Sequence, residues 1–293
     1  MTEPEPLSAL QEAERAAVRY LLTDIDDTIS TGGLITSEAF GALWALADAG
    51  VRVVPVTGRP AGWCDHIARM WPVAGVIGEN GAFVFRYDRR SRTMHREYLI
   101  SEQERLEGRR RLEAVRRRAL LEVPGCRVAA DQPFRLVDLA IDYREDAGPL
   151  DAEAVARICR IATEEGATAK VSSIHINCWY GLHTKLTGVE AFLRGIGACA
   201  QGACAQGAGA PTSRADALDP GPHCVAFVGD SPNDEPLFAR LPLSVGVANI
   251  RPFLAAMTHP PRYITSGAAG AGFAELARLL VDARQGNAGG SAR

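Results

Sequence analysis

Two aspartates separated by one residue close an apolar run, Tyr20-Leu-Leu-Thr-Asp24-Ile-Asp26-Asp27-Thr28. The run reads as a short buried strand, so Asp24 and Asp26 leave its carboxyl end together, where open α/β sheets place their ligands. Neighbouring carboxylates repel, and a cation or a shared proton must hold them. Magnesium binding or acid–base chemistry is therefore the first expectation. An acidic turn after a strand is the plainer reading of this segment alone. A calcium loop does not fit: counting from Asp24, Ile29 and Ile35 stand where an EF-hand needs Gly and Glu.

A second acidic cluster lies far downstream in Cys224-Val-Ala-Phe-Val-Gly229-Asp230-Ser231-Pro232-Asn233-Asp234. Pro232 blocks continuation of the strand, which places Asp230 and Asp234 on a strand-to-helix turn. Between the two clusters stand Val51-Arg-Val-Val-Pro-Val-Thr57-Gly58-Arg59-Pro60 and Leu182-His-Thr-Lys185-Leu-Thr-Gly. The first is a strand running into Thr-Gly-Arg. Pro60 suits the first position of a helix, whose amino end favours an anion nearby. Taken alone, Lys185 is an ordinary surface lysine and Thr57 a helix cap.

In chain order, Asp-x-Asp-x-Thr, Thr-Gly-Arg, Lys and Gly-Asp-x-x-x-Asp resemble the four motifs of the haloacid dehalogenase-like hydrolase superfamily. Val76-Ile-Gly-Glu79-Asn80-Gly81-Ala82, ahead of a long insertion, is similar to the branch with a large α/β cap, which includes sugar phosphatases and phosphomannomutases. The resemblance covers residues 18–84 and 183–282. It implies that Asp24 is a nucleophile, that Asp26 carries the proton, and that Lys185 balances the crowded negative charge. It implies Mg2+ as cofactor, held by the side chains of Asp24 and Asp230 and the main-chain carbonyl of Asp26, with Asp234 in support. The Thr57 hydroxyl and the amides around Gly58 would hold phosphate oxygens. Arg59 either faces the substrate or braces the second motif. Asp27 departs from the family pattern, in which glycine is usual after the second aspartate.

These residues need a frame. The 293-residue chain is 47% hydrophobic, ample for a packed core, and its formal charge of −3 argues against nucleic-acid binding by overall field. No run approaches the roughly 18 apolar residues of a membrane span, and no secretory signal is visible at the start. A cytoplasmic protein without nucleic-acid or membrane partners is expected, its oligomeric state open. The seven cysteines form no Cys-x-x-Cys pair and read as reduced core residues. Strands alternating with helices predict an α/β fold, a doubly wound, mainly parallel, Rossmann-like sheet. Residues 1–84 and 183–293 form one discontinuous core domain in this reading, and 85–182 an inserted α+β cap.

Ser37 to Ala49 predicts a helix with a capping residue at its start and Phe40, Leu43, Trp44 and Ala47 on its apolar face. Within the insertion, Ser101–Glu122 and Asp151–Glu165 read as helices, and Arg135–Tyr143 and Ala169–Trp179 as strands. Six arginines between 109 and 118 read as a solvated helix face balanced by Glu102, Glu104, Glu107 and Glu113 rather than a binding patch. Residues 197–222 repeat Cys-Ala-Gln-Gly-Ala and read as a surface loop. The tail after Asp282 reads as disordered.

His175, Asn177 and Trp179 alternate on one strand face, fit either for sugar contact or for half-buried packing. Asn80 shares this ambiguity, because Asn80-Gly81 is also a turn signal. The resulting expectation is a magnesium-dependent phosphatase acting on a small phosphorylated metabolite, of sugar-phosphate type, through an aspartyl-phosphate. A phosphomutase and a noncatalytic phosphate-binding regulator are the alternatives.

Overall fold

The computed structural model describes residues 3–198 and 224–290. From the amino end come β1 (Glu5–Pro6), α1 (Glu12–Ala17), β2 (Tyr20–Thr23), β3 (Ser30–Thr31), β4 (Leu34–Ile35), α2 (Ser37–Asp48), β5 (Arg52–Pro55) and α3 (Ala61–Met70). Next are β6 (Val76–Gly78), β7 (Phe83–Asp88) and β8 (Thr93–Tyr98), then α4 (Glu102–Glu122), β9 (Arg127–Val128), β10 (Leu139–Asp142), α5 (Ala152–Glu164), β11 (Thr168–Val171) and β12 (His175–Trp179). The chain closes with α6 (Lys185–Ala198), β13 (Val225–Gly229), α7 (Glu235–Arg240), β14 (Leu243–Gly246), β15 (Tyr263–Ile264) and α8 (Ala269–Gly290).

The central sheet has the order β1-β15-β14-β13-β2-β5, and all its pairings are parallel. Alternation along its strands divides the core. Leu21, Val53 and Val228 face α2, α3 and α8 through Leu43, Ile67 and Phe273, whereas Leu22, Val54 and Phe227 face α6 and α7 through Phe192 and Phe238. Burying each of these side chains is worth about 1.5–3 kcal/mol. The α/β fold class read from the sequence holds. Residues 102–179 build a second, antiparallel sheet of order β11-β12-β10-β9, packed on α4 and α5 with its own apolar cluster. Among the described residues no helix is long and apolar enough to cross a membrane.

Several sequence expectations are corrected here. Thr36, not Ser37, caps α2, its side chain accepting from Ala39 N. The buried face of that helix is Ala39, Leu43 and Leu46, which leaves Trp44 half exposed, because the helix phase is fixed by packing on α8 rather than by its largest side chains. Pro60 precedes α3 in an extended conformation instead of opening it. Residues 135–138 approach the core ahead of β10, and Ala169–Trp179 is a hairpin of β11 and β12 rather than one strand. The α4 arginines pair with glutamates, Arg116 with Glu113 and Arg118 with Glu122, Glu164 and Glu165, in keeping with a solvated face. Cys64, Cys126, Cys159, Cys178 and Cys224 are free thiols. Nearly all of the 197–222 segment lies outside the described residues.

Candidate active site

Parallel pairing of β2 with β13 brings the two acidic strand ends side by side, Thr23 opposite Val228. The carboxylates of Asp24, Asp230 and Asp234 consequently cluster, with one oxygen of each within 4.8 Å of the others, all buried. Lys185, the first residue of α6, donates to Asp24 Oδ2 at 2.7 Å and to Asp234 Oδ1 at 2.8 Å. Asp24 Oδ1 accepts from Ile25 N, and Asp234 Oδ2 from Asp230 N. Asp230 is approached by the Thr28 hydroxyl and the Asn249 amide, each at 3.4 Å.

Three carboxylates share one ammonium, so negative charge is left uncompensated away from water. Burial pushes the Asp24 carboxyl up to about 7 against the pull of Lys185, and burial with Asp234 holds Asp230 well above the carboxylate range. Burial works against the Lys185 charge, yet Asp234 and Asp24 keep its ammonium above the usual lysine range. Such a donor set, all oxygen, buried and short of positive charge, suits a hard divalent cation.

Asp26 is not one of the three clustered carboxylates. Arg59 grips its carboxylate with Nε and one terminal nitrogen, at 2.8 to 3.1 Å. The other terminal nitrogen reaches Glu145 at 3.1 Å and Asp131 at 3.9 Å, on the loops either side of β10. Arg59 thus links the Thr57-Gly58-Arg59 segment to Asp26 and to Asp131 and Glu145. Glu145 in turn stands 2.8 Å from His175 Nε2.

Thr57 is fully buried, and its hydroxyl accepts from Arg59 N. Gly58 permits a close approach, since a Cβ there would press on the Asn177 and Asn80 amides at 3.2 to 3.3 Å. Its carbonyl accepts from Arg135 at 2.9 Å and from Asn177 Nδ2 at 3.2 Å. Asn80 sits in a left-handed turn of φ 55°, and the following Gly81 packs so tightly on Thr184 that any Cβ would overlap its carbonyl. The turn thereby seats Lys185. Asp27 is likewise left-handed at φ 52°, a conformation that explains a glycine preference and that aspartate tolerates.

In the sequence, Glu79 belongs to Glu79-Asn80-Gly81, read either as a substrate contact or as a turn. Its fully buried carboxylate accepts from Ala61 N at the start of α3 and from the amides of Leu136, Val137 and Asp138. The anion at the α3 amino end is thus internal, and the expected phosphate contact there is replaced by Glu79. Burial and Asp138 push this carboxyl up to about 7, opposed by its amide donors.

Asp24, Asp26, Gly58, Arg59, Asp230, Ser231 and Asn233 face Arg135, Ser172, Ser173, Ile174, His175 and Asn177 across a cavity of ≈ 20 Å3. That volume holds about one water. His175 and Asn177 therefore share a cavity lining with Asp24 and Asp230, and both are buried, Asn177 donating to Asp138 and to the Gly58 carbonyl. Trp179 lies farther along β12, its indole donating to His183 O and its ring 5.5 Å from the His183 imidazole.

His183 is itself a missed feature. Both ring nitrogens are buried without a hydrogen-bond partner, and burial brings its pKa down from 6.5 to about 4. An unfolded chain binds a proton between those values and the folded one does not, so this stability is complete above pH 6.5 and lost as pH falls toward 4. At most about 3 kcal/mol is at stake. Asp24 and Glu79, raised to about 7, act in the opposite sense, their contribution being lost as pH rises toward 7. The expected result for His183→Phe is a smaller loss of urea stability between pH 6.5 and pH 4.5 than in the parent. Equal losses in the two proteins would show that the imidazole is not the acid-sensitive group.

Residues 21–105 match the model of a family described as haloacid dehalogenase-like hydrolase. Solved structures agree over almost the whole chain. A Thermoplasma acidophilum protein superposes with TM-score 0.62 at 16% identity, covering 90% of this chain and 98% of that one. A haloacid dehalogenase-like hydrolase from Bacteroides thetaiotaomicron gives 0.55 at 15%, covering 89% and 98%. This is the haloacid dehalogenase-like fold. The sucrose-phosphatase from Synechocystis sp., solved with sucrose and phosphate, gives 0.58 at 12% identity, covering 89% and 97%. A search of curated proteins returned no match. At these identities the shared feature is the fold, and within it Asp24, Asp230 and Asp234 occupy the carboxyl edge of the parallel sheet.

Proposed function

We propose that the chain is a magnesium-dependent phosphatase that hydrolyses a small phosphate monoester, of sugar-phosphate type, through an aspartyl-phosphate on Asp24. The observation that carries this reading is the buried cluster of Asp24, Asp230 and Asp234 with Lys185 as its cation, beneath a polar cavity. Asp24, Asp230 and Asp234 are suited to hold a divalent ion, which when bound would neutralise phosphate charge and keep Asp24 ionised. The sugar-phosphate class is suggested by the Synechocystis sucrose-phosphatase, which shares the fold.

Asp24 attacks phosphorus as the ester P–O bond breaks, and the departing alkoxide takes a proton from Asp26. Water, deprotonated by Asp26, then releases phosphate from the acyl phosphate. Lys185 holds the Asp24 carboxylate in line and offsets charge as the phosphoryl group transfers. Arg59 donates to both carboxylate oxygens of Asp26, so proton delivery requires that this grip loosen, and Arg59 can then meet the phosphoryl oxygens.

Residues 85–182 act as the cap in this reading, and 1–84 with 183–293 as the catalytic core. A cavity of ≈ 20 Å3 excludes any sugar phosphate, so the cap opens to admit substrate, and the Arg59–Glu145 link must part. His175 and Asn177 then select the substrate.

Asp26→Asn is expected to cost least with an aryl phosphate, whose leaving group needs no proton, and most with an alkyl sugar phosphate. Equal losses under rate-limiting phosphoryl transfer would remove Asp26 from the proton role. The overall proposal is tested by a phosphate-release screen over phosphosugars, nucleotides and cofactor phosphates, with and without magnesium. Isomerised sugar phosphate without free phosphate would identify a mutase, and binding without turnover a regulator.

A further inference from the structure

A second concavity lies at the opposite end of the sheet from the carboxylate cluster. It has a volume of ≈ 730 Å3, and its side chains include Arg19, Trp44, Arg52, Met70, Arg89 and Arg284. Arg19 and Arg52 stand at the amino ends of β2 and β5, whereas Asp24 leaves the carboxyl end of β2. One strand length, roughly 15 Å, therefore separates this place from the site above. The volume lies within the range of small-molecule sites.

The lining holds four arginines and no carboxylate. Arg52 donates to the Tyr20 hydroxyl at 2.8 Å and lies over that ring, and Arg89 donates to the carbonyls of Arg69 and Trp71 at the end of α3. These neutral partners fix the two guanidinium groups without cancelling their charge, and each keeps further N–H donors. Among the described residues none of Arg19, Arg52 and Arg89 forms an ion pair. Beside them Trp44 is 50% and Met70 64% exposed, the indole turned outward by the helix phase noted above. Planar cationic forks match phosphate oxygens, and an exposed indole offers a face to a flat ring.

We propose that this concavity binds a phosphorylated, ring-bearing small molecule of the mononucleotide class, its phosphates on the arginines and its ring against Trp44 and Met70. The inference is independent of the reaction proposed above. Calorimetric titration of the full chain with ADP and, separately, with inorganic pyrophosphate tests it, using Trp44→Ala and Arg19→Glu. Saturable ADP binding is expected, weakened about tenfold or more by either substitution. Pyrophosphate binding should fall in Arg19→Glu alone. Both variants should keep the parent's phosphate release from an aryl phosphate, and the exposed position of Trp44 makes folding of that variant safe. The proposal is overturned by absence of ADP binding to the parent at millimolar concentration, or by binding that neither substitution alters. Equal weakening of both probes by Trp44→Ala would overturn the ring contact. Loss of self-association in the variants without any ADP effect would assign the surface to a second copy of the chain instead.

Discussion

Asp24→Asn is expected to lower phosphate release roughly ten thousand- to a million-fold, the scale seen when a catalytic nucleophile is lost. The amide keeps the shape of the side chain but cannot form the acyl phosphate. It also removes one of three crowded negative charges, so in metal-free buffer the variant should unfold at an equal or higher urea concentration than its parent. That combination distinguishes chemistry from damage: a structural residue at this degree of burial would cost stability as well as rate. A folded Asn variant that turns over near the parental rate would end the assignment of Asp24.

Lys185→Met should do the reverse and harm both properties. The ammonium touches Asp24 and Asp234 at 2.7 and 2.8 Å, and no other cation among the described residues contacts the three carboxylates. Removing one partner of a buried ion pair costs about 3–5 kcal/mol, because the remaining charge has lost its compensation. Turnover should fall by roughly a thousandfold, the effect of losing a preorganised electrostatic contact. Added magnesium should restore part of the stability in the variant and less in the parent, since binding to the folded state alone stabilises it. Denaturant titrations of both proteins with and without magnesium measure this directly. Indifference of stability, turnover and metal response to the substitution would place Lys185 outside the site.

What could be read from the sequence was what is local. A short apolar run that ends in carboxylates announces both a strand and where its side chains emerge, so Asp24 and Asp230 were visible before any fold was known. The alternation of His175, Asn177 and Trp179 was visible for the same reason, although Trp179 proved to face His183 and not the cavity. Contacts across long separations left no local trace. Glu79 bonds to amides 57 to 59 positions away, and Arg59 reaches Glu145 86 positions away. The phase of α2 differs from the sequence reading because Phe40, Leu43, Trp44 and Ala47 and the observed Ala39, Leu43 and Leu46 both have helical spacing, and only tertiary packing, chiefly on α8, decides between them. The left-handed backbone at Asp27 explains a departure from the family pattern whose meaning the sequence left open.

The carboxylate of Glu79 fixes the mechanics of the molecule. It holds the amides at 61 and at 136–138 at a single buried point, with the Arg135–Gly58 bond close by in sequence. By contrast, no hydrogen bond joins residues 172–174 to 231–233, which face each other across the same cavity. If residues 85–182 act as the proposed cover, this attachment would make it swing like a door rather than lift like a lid: one jamb would carry the hinge pin and the opposite edge would travel. Substrate would then enter between the β11–β12 turn and the loop after β13, and the cover would return to the same register after every turnover.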